Sequence, residues 1–340
     1  MRNSQGSRVL NNPDQSALAV DNPAPNLAAL ERAAEVVYEH MQPSPQIEWP
    51  LLSQHCGARV IVKHENHNPT GAFKVRGGLY YLSRLREREP ALEGLVTATR
   101  GNHGQSVAFA AGRFGMHAVV VVPFGNSEDK NNAMRALGAE LIEHGADFDE
   151  AVPYAQALAS EKGYHRIPSF HWDLVAGVAS YALEFFRGAP PLDRVYVPIG
   201  LGSGICAVAA ARNALGLETE VIGVVSAAAD AYAQSHAAGV RKVTNTAATL
   251  ADGLAVREPN EEALQYMLNE VNRVVRVTDE EVLSAMALYF QTTHNVAEGA
   301  GAAALAAVLQ ERNMNANATV GVVLTGQNVD SALYADALSA

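Results

Sequence analysis

The chain has 340 residues, 48% of them hydrophobic and 27 of them glycine, enough for one large domain or two intimate ones with a substantial core. A formal net charge of −11 with no basic tract argues against nucleic acid as a partner, and two isolated cysteines, Cys56 and Cys206, exclude a disulfide framework and read as buried or semi-buried thiols. No window reaches the ~18 to 20 apolar residues of a bilayer span, and the polar N-terminus has no apolar signal stretch, so no membrane partner and a cytoplasmic location are expected.

Residues 1–25, rich in Asn and Pro, read as a flexible arm. A helix is predicted to start at Asn26 as cap, with Leu27, Leu30, Ala34, Val37 and Met41 at helical spacing. Short β-branched runs then alternate with Ala-rich helical stretches. The runs are 59–65, 94–99, 118–123, 139–144, 194–200, 220–226, 274–279 and 319–326; the helices between them include 104–115, 129–138, 204–216 and 280–291. Continuous apolar strands separated by helices predict an α/β protein with parallel sheets covered on both faces. Within it, 118–144 reads as one βαβ unit whose helix Asn126 and Ser127 can cap.

Four segments carry residue types suited to chemistry. In HENHNPTGAFKVRGG (64–78), Lys74 lies among Phe73 and several glycines, which allow close backbone approach to a ligand. A desolvated lysine is a nucleophile, although Lys74 alone could equally sit in a surface turn. TATRGNHGQS (97–106) reads as a strand, a tight turn and a helix start, which is an anion site for a carboxylate or phosphate, or a plain turn capped by Asn102. VPIGLGSGICA (197–207) repeats that pattern, and Gly200, Gly202, Ser203 and Gly204 can present consecutive N–H groups to a phosphate. It is not a dinucleotide motif, because Ile205 replaces the third glycine and no acid stands at the tip of the next strand, where Val225 and Ser226 lie. No GK[ST] is present to make an ATP loop. In VVLTGQNVD (322–330), Thr325 stands where a strand tip faces the usual crevice of a parallel sheet.

In this order and at these spacings the four segments resemble the fold type II pyridoxal-phosphate enzymes, and among them the serine/threonine dehydratase and serine racemase family. The resemblance covers about residues 25–335 and is strongest in PTGAFKVRGG and GNHGQ. It implies two intertwined domains of the tryptophan synthase β type, each a mostly parallel twisted sheet covered by helices: a large one over 26–93 and 170–335, and a small one over 94–169. It implies pyridoxal 5′-phosphate as cofactor, an amino acid as substrate and a homodimer or other homo-oligomer.

By the same resemblance, Lys74 would carry the cofactor covalently and act as the catalytic base. Phe73 would lie against one face of the ring and Asn102 would bond its hydroxyl. Gly200, Leu201, Gly202, Ser203 and Gly204 would cradle the phosphate, Thr325 would take the ring nitrogen, and Glu298 would be the acid near the cofactor, unless it merely caps a helix. Thr99, Arg100, Gly101, Asn102 and His103 would hold the substrate carboxylate through the turn. Ser169, with Phe170, His171 and Trp172, would line the side-chain pocket.

The implied reaction converts a β-hydroxy-α-amino acid to its 2-oxo acid and ammonia. Threonine, serine or a bulkier analogue such as phenylserine or 3-hydroxyaspartate would serve. Other fold type II activities, β-replacement or racemisation, and a non-catalytic cofactor-binding role stand as alternatives.

The chain departs from the pattern in four places. Arg100 replaces the serine that serves racemases as second acid/base, and a guanidinium does not donate protons at neutral pH, which argues against racemisation. Val225, Ala229 and Ala231 stand where cation-dependent members carry their ligands, so no Mg or Ca site is expected; His64 and His67 read as polar loop groups rather than zinc ligands. The phosphate loop GLGSG differs from the family's all-glycine run. Little sequence follows TGQNVD, so no C-terminal regulatory domain, and no feedback by isoleucine through one, is expected.

Overall fold

A computed structural model describes residues 24–339. The arm expected over 1–25 lies, but for its last two residues, outside the described residues.

Ten strands and thirteen α-helices follow in chain order among the described residues. Helix α1 (Leu27–Tyr38) begins at Asn26, whose side chain accepts from the N–H of Ala29 at 3.0 Å. Next come β1 (Gln46–Glu48), α2 (Pro50–Cys56), β2 (Arg59–His64) and α3 (Lys74–Arg88). The segment from 94 to 166 folds as β3 (Gly94–Ala98), α4 (Asn102–Phe114), β4 (His117–Val122), α5 (Glu128–Ala136), β5 (Glu140–Glu143), α6 (Phe148–Lys162) and β6 (His165–Arg166). The remainder is α7 (Trp172–Gly188), β7 (Arg194–Pro198), α8 (Ser203–Ala214), β8 (Glu220–Ser226), α9 (Ala231–Ala238), α10 (Glu261–Glu270), β9 (Arg273–Val277), α11 (Asp279–Thr293), α12 (Gly299–Gln310), β10 (Thr319–Leu324) and α13 (Ser331–Ser339). A short 3-10 turn, Asp252–Leu254, precedes α10. Among the described residues no helix is long and apolar enough to cross a membrane.

Two sheets result. One has six strands in the order β1-β2-β10-β7-β8-β9, parallel except for β1, and the other has four parallel strands, β5-β4-β3-β6. Strand order reverses once in each. In the larger sheet, β8 and β9 build outward on one side of β7 while β10 returns on the other; in the smaller, β4 and β5 lie on one side of β3 and β6 on the other. Such reversal points open a crevice at the carboxyl ends of the strands. The loops that leave β7, β10 and β3 there are Ile199–Gly202, Thr325–Asp330 and Thr99–Gly101.

The start of α3 is fixed by charge. Arg76 is fully buried and its guanidinium meets Glu65, which follows β2, at 2.7 Å, and Glu184 on α7 at 2.7 Å. Lys63 of β2, also buried, reaches the second Glu184 oxygen at 2.5 Å and the Ser44 carbonyl at 2.7 Å. Desolvation alone would lower the pKa of Arg76, but Glu65 and Glu184 outweigh it; desolvation does lower that of Lys63. Glycines let the backbones close up around this network. A Cβ on Gly177 would lie 2.4 Å from the Arg76 carbonyl, and one on Gly77 would lie 2.8 Å from the Leu174 carbonyl.

Removing one partner of a buried ion network strands the others. Arg76→Met should therefore destabilise the cofactor-free protein by about 3–5 kcal/mol in denaturant unfolding. A loss below about 1 kcal/mol, the scale of an exposed pair, would contradict this account of α3.

Candidate active site

The loop that carries Lys74 is stitched to the segment after β10. Phe73 N–H donates to the Thr325 carbonyl at 3.0 Å, Ala72 and Gly326 form a β-bridge, and Gln327 N–H donates to the Gly71 carbonyl at 2.9 Å. Glu298 N–H donates to the Gly326 carbonyl at 3.0 Å, which brings the start of α12 to the same point. Ser106 of α4 donates to the Lys74 carbonyl at 2.6 Å. Lys74, the first residue of α3, thus stands where the ends of both sheets meet.

Electrostatics set the state of each group. Burial lowers the pKa of Lys74, opposed by Glu298. Burial and the Lys74 charge hold His103 down at about 3, so its imidazole is neutral, and its Nε2 has no hydrogen-bond partner among the described residues. Burial pushes Glu298 up to about 7. Lys130, a 2.8 Å bond from Asn102 Nδ2 and Lys74 oppose that rise, whereas Asp252 adds to it. A lysine whose charged form is disfavoured by burial, beside a carboxyl that titrates near neutrality, is an arrangement for moving protons.

Two helix starts face this point without a side-chain cap. Gly101 is the N-cap of α4 and Gly202, at φ +102°, that of α8. Uncapped N–H groups bind anions. Glycine is forced in the second loop: a Cβ on Gly200 would lie 2.4 Å from the Gly253 carbonyl, and one on Gly202 would lie 2.6 Å from the Ala263 methyl. The Leu201 carbonyl is turned away to accept from Tyr232 Oη at 3.0 Å. The Phe73 ring joins the parts: its edge lies 3.5 Å from where a Gly204 Cβ would be, and Lys74 Nζ lies 5.8 Å from its centroid.

The cofactor implied by the resemblance needs a reactive amine, an anion cradle and polar groups between them. Lys74, the uncapped Ser203–Gly204 start of α8, and Asn102, Glu298 and Thr325 fit those requirements. Thr325 is buried at the tip of β10.

Several expectations change in detail. Asn102 does not cap α4; it is the first helical residue, and its side chain bonds Glu298 and accepts from Asn328 Nδ2 at 2.8 Å. Glu298 is the N-cap residue of α12 but makes no side-chain capping bond. Arg100 is exposed. His64 is the buried last residue of β2 rather than a loop group, with Trp49 Nε1 donating to its Nε2 at 3.0 Å. His67 bonds Asn295 at 2.6 Å.

Phe170 belongs to the core cluster and Trp172 packs against it. Phe170, Trp172 and Tyr266 stack edge to face, and His171 caps α7 and packs on Tyr81. Ser169, just before them, is half-buried. Ser127 alone caps α5 through its side chain; Asn126 bonds Asn131 instead. Val225, Ala229 and Ala231 are buried, and Asp230 pairs with Arg276 at 2.8 Å. Both cysteines are buried.

Sequence reasoning missed three residues at the mouth: Lys130, Asp252 and Asn328. Asn328 lies within the VVLTGQNVD segment but only Thr325 was singled out there; no motif marks Lys130 or Asp252, which reach the site through the packing of α5 and the 3-10 turn.

A family model described as pyridoxal-phosphate dependent enzyme matches residues 37–326. The chain is 35% identical to the L-threonine ammonia-lyase of Geobacter sulfurreducens, over 82% of this chain and 69% of that one. It is 32% identical to the biosynthetic L-threonine dehydratase of Pasteurella multocida over 86% of this chain, and spans 58% of that relative's length. Its fold superposes on maize serine racemase with a TM-score of 0.87, at 25% identity, covering 93% of this chain and 97% of that one.

The raised pKa of Glu298 predicts a pH-dependent stability. Its folded value, about 7, exceeds the 4.5 of an ordinary glutamate carboxyl. The contribution it makes is therefore complete below the lower value and is lost as pH rises through the upper one. Glu298→Gln, which cannot titrate, should gain on the parent in melting temperature as pH rises from about 4.5 to about 7, and then level off. A melting-temperature difference that stays constant across that range, measured without cofactor, would contradict the assignment.

Proposed function

The chain belongs to the pyridoxal-phosphate-dependent enzyme family, and on that premise we propose that it is a dehydratase that converts an L-β-hydroxy-α-amino acid to its 2-oxo acid and ammonia. Threonine, serine and bulkier analogues such as phenylserine or 3-hydroxyaspartate are the substrate class. The observation that carries the reading is the desolvated Lys74, set beside Glu298 and between two uncapped helix starts. The names of the two curated relatives support it.

When bound, the cofactor supplies the electron sink that makes a substrate Cα–H bond acidic. The remaining work falls to the chain. The start of α8, with Gly200 and Leu201 before it, would hold the phosphate. The turn Thr99–His103 would hold the substrate carboxylate, and the Thr99 hydroxyl, which accepts from Gly101 N–H at 3.0 Å, stiffens that turn. Asn102 would orient the ring hydroxyl while tied to Glu298.

Burial disfavours the charged form of Lys74, so when free it would accept the Cα proton. Thr325, at the ring-nitrogen position, offers a hydroxyl rather than a carboxylate. It would not hold a proton on that nitrogen, which suits prompt loss of the β-hydroxyl over a long-lived carbanion. His103 is neutral and adds no competing positive charge.

The test is release of 2-oxo acid and ammonia in equal amounts from a panel of β-hydroxy amino acids, with no second substrate present. Arg100 cannot reprotonate Cα from the opposite face. Chiral analysis of residual substrate after partial turnover should therefore find the L-form without accumulating D-enantiomer. Steady appearance of D-substrate would instead support a racemase. A requirement for an added nucleophile would support β-replacement.

A further inference from the structure

Lys130 occupies an unusual position. It stands in the first turn of α5, on the four-stranded sheet, yet its side chain crosses the mouth of the site. Its Nζ meets Asp252 Oδ2 of the 3-10 turn at 2.7 Å. Its Cδ passes so close to the α4 start that a Cβ on Gly101 would lie 3.0 Å from it. Two cavities share it as a wall. One, of about 400 Å³, is bounded also by Gln105 and the loop after β10; the smaller reaches Glu298 and Gly253.

The stem of Lys130 therefore lies on the very turn whose uncapped N–H groups are suited to a carboxylate, and its ammonium is anchored beyond that turn. The Lys130 side chain is 12% exposed and that of Asp252 is 41% exposed. An ion pair open on one side contributes little and exchanges readily. A second polar tie, Ser127 to Asp330, joins α5 to the loop after β10. Arg100, the other cation of the turn, is exposed.

We propose that Lys130 is a substrate-positioning residue: Asp252 holds its ammonium while the site is empty, and the substrate's α-carboxylate, seated on the Thr99–His103 turn, takes it over. Because the stem already crosses Gly101, the transfer requires rotation only about the last bonds of the side chain. Asp252 acts as a surrogate carboxylate that competes with substrate. Lys130 also opposes the burial of Glu298, whose other charged neighbours are Lys74 from α3 and Asp252 from the 3-10 turn, with Asn102 from α4 bonded to it. Moving the ammonium from Asp252 to substrate keeps a positive charge near that carboxyl throughout. This inference rests on the dehydratase reading for the identity of the substrate, but not for its test.

The test compares binding of the best-bound β-hydroxy amino acid with that of its carboxamide, which lacks the negative charge. Both are titrated against the cofactor-loaded wild-type, Lys130→Gln and Asp252→Asn proteins, followed by the visible absorbance of the cofactor. In Lys130→Gln the Kd of the acid should rise about tenfold or more, the scale of a charge-assisted bond, while that of the carboxamide stays unchanged. In Asp252→Asn the acid should bind about threefold tighter, because a weak competitor is gone.

A purely structural tie predicts the opposite for Asp252→Asn, namely weaker binding in both variants. That result, or equal changes for acid and carboxamide, overturns the proposal. A wild-type enzyme that binds both ligands but releases no 2-oxo acid refutes the dehydratase reading and leaves the Lys130 result standing. One that binds neither overturns both.

Discussion

The structure depends on a buried guanidinium. Arg76, two residues after Lys74, has its charge paired by Glu65 and Glu184, and both are themselves enclosed. A buried charge without its partners is very costly, so the first turn of α3 has one place to sit: against the end of β2 and the flank of α7. Lys74 inherits that place. The glycine contacts between α3 and α7 then exclude any looser packing, since a single methyl at 77 or 177 would meet backbone. A reactive amine held by a rigid turn is better positioned than one on a mobile loop.

Around that fixed point the two sheets contribute complementary parts. The reversal of strand order at β7 and β10 delivers an uncapped helix start and Thr325, and the reversal at β3 delivers a second uncapped start and Asn102. Backbone N–H groups and small residues make up most of the site. Its ionisable members, Lys74, His103 and Glu298, are all shifted by burial toward their neutral forms. The charged groups, Lys130 and Asp252, lie at the mouth, where water still reaches them. This gradient from neutral interior to charged rim lets a zwitterionic substrate exchange water for protein contacts as it enters.

Much of the fold was legible in the sequence because long apolar runs have only one use in an α/β protein. All eight expected runs are strands in the structure, and the caps at Asn26 and Ser127 follow from side-chain chemistry alone. The strands β1 and β6, with three and two residues, are too short to show a pattern. The four chemical segments are brought together because each sits at a strand end or helix start.

The buried ion network was hinted at only by Lys63 and Glu65, which interrupt an apolar run; Glu184, which pairs with Lys63 and Arg76, lies 121 residues from Lys63 and carries no local sign. Lys130 and Asp252 were invisible for the same reason, being 122 residues apart and joined only by packing. The aromatic residues 170–172 give no unique sign, because aromatic side chains serve cores as readily as pockets.

The central claim is that Lys74 is the residue that bonds the cofactor. The most direct measurement is to load the protein with pyridoxal 5′-phosphate, reduce it with borohydride, digest it and map the modified peptide by mass spectrometry. The account predicts a single stable phosphopyridoxyl adduct, on Lys74, in the peptide that contains Phe73. An adduct on Lys63, Lys130 or any other lysine, with Lys74 unmodified, would contradict it.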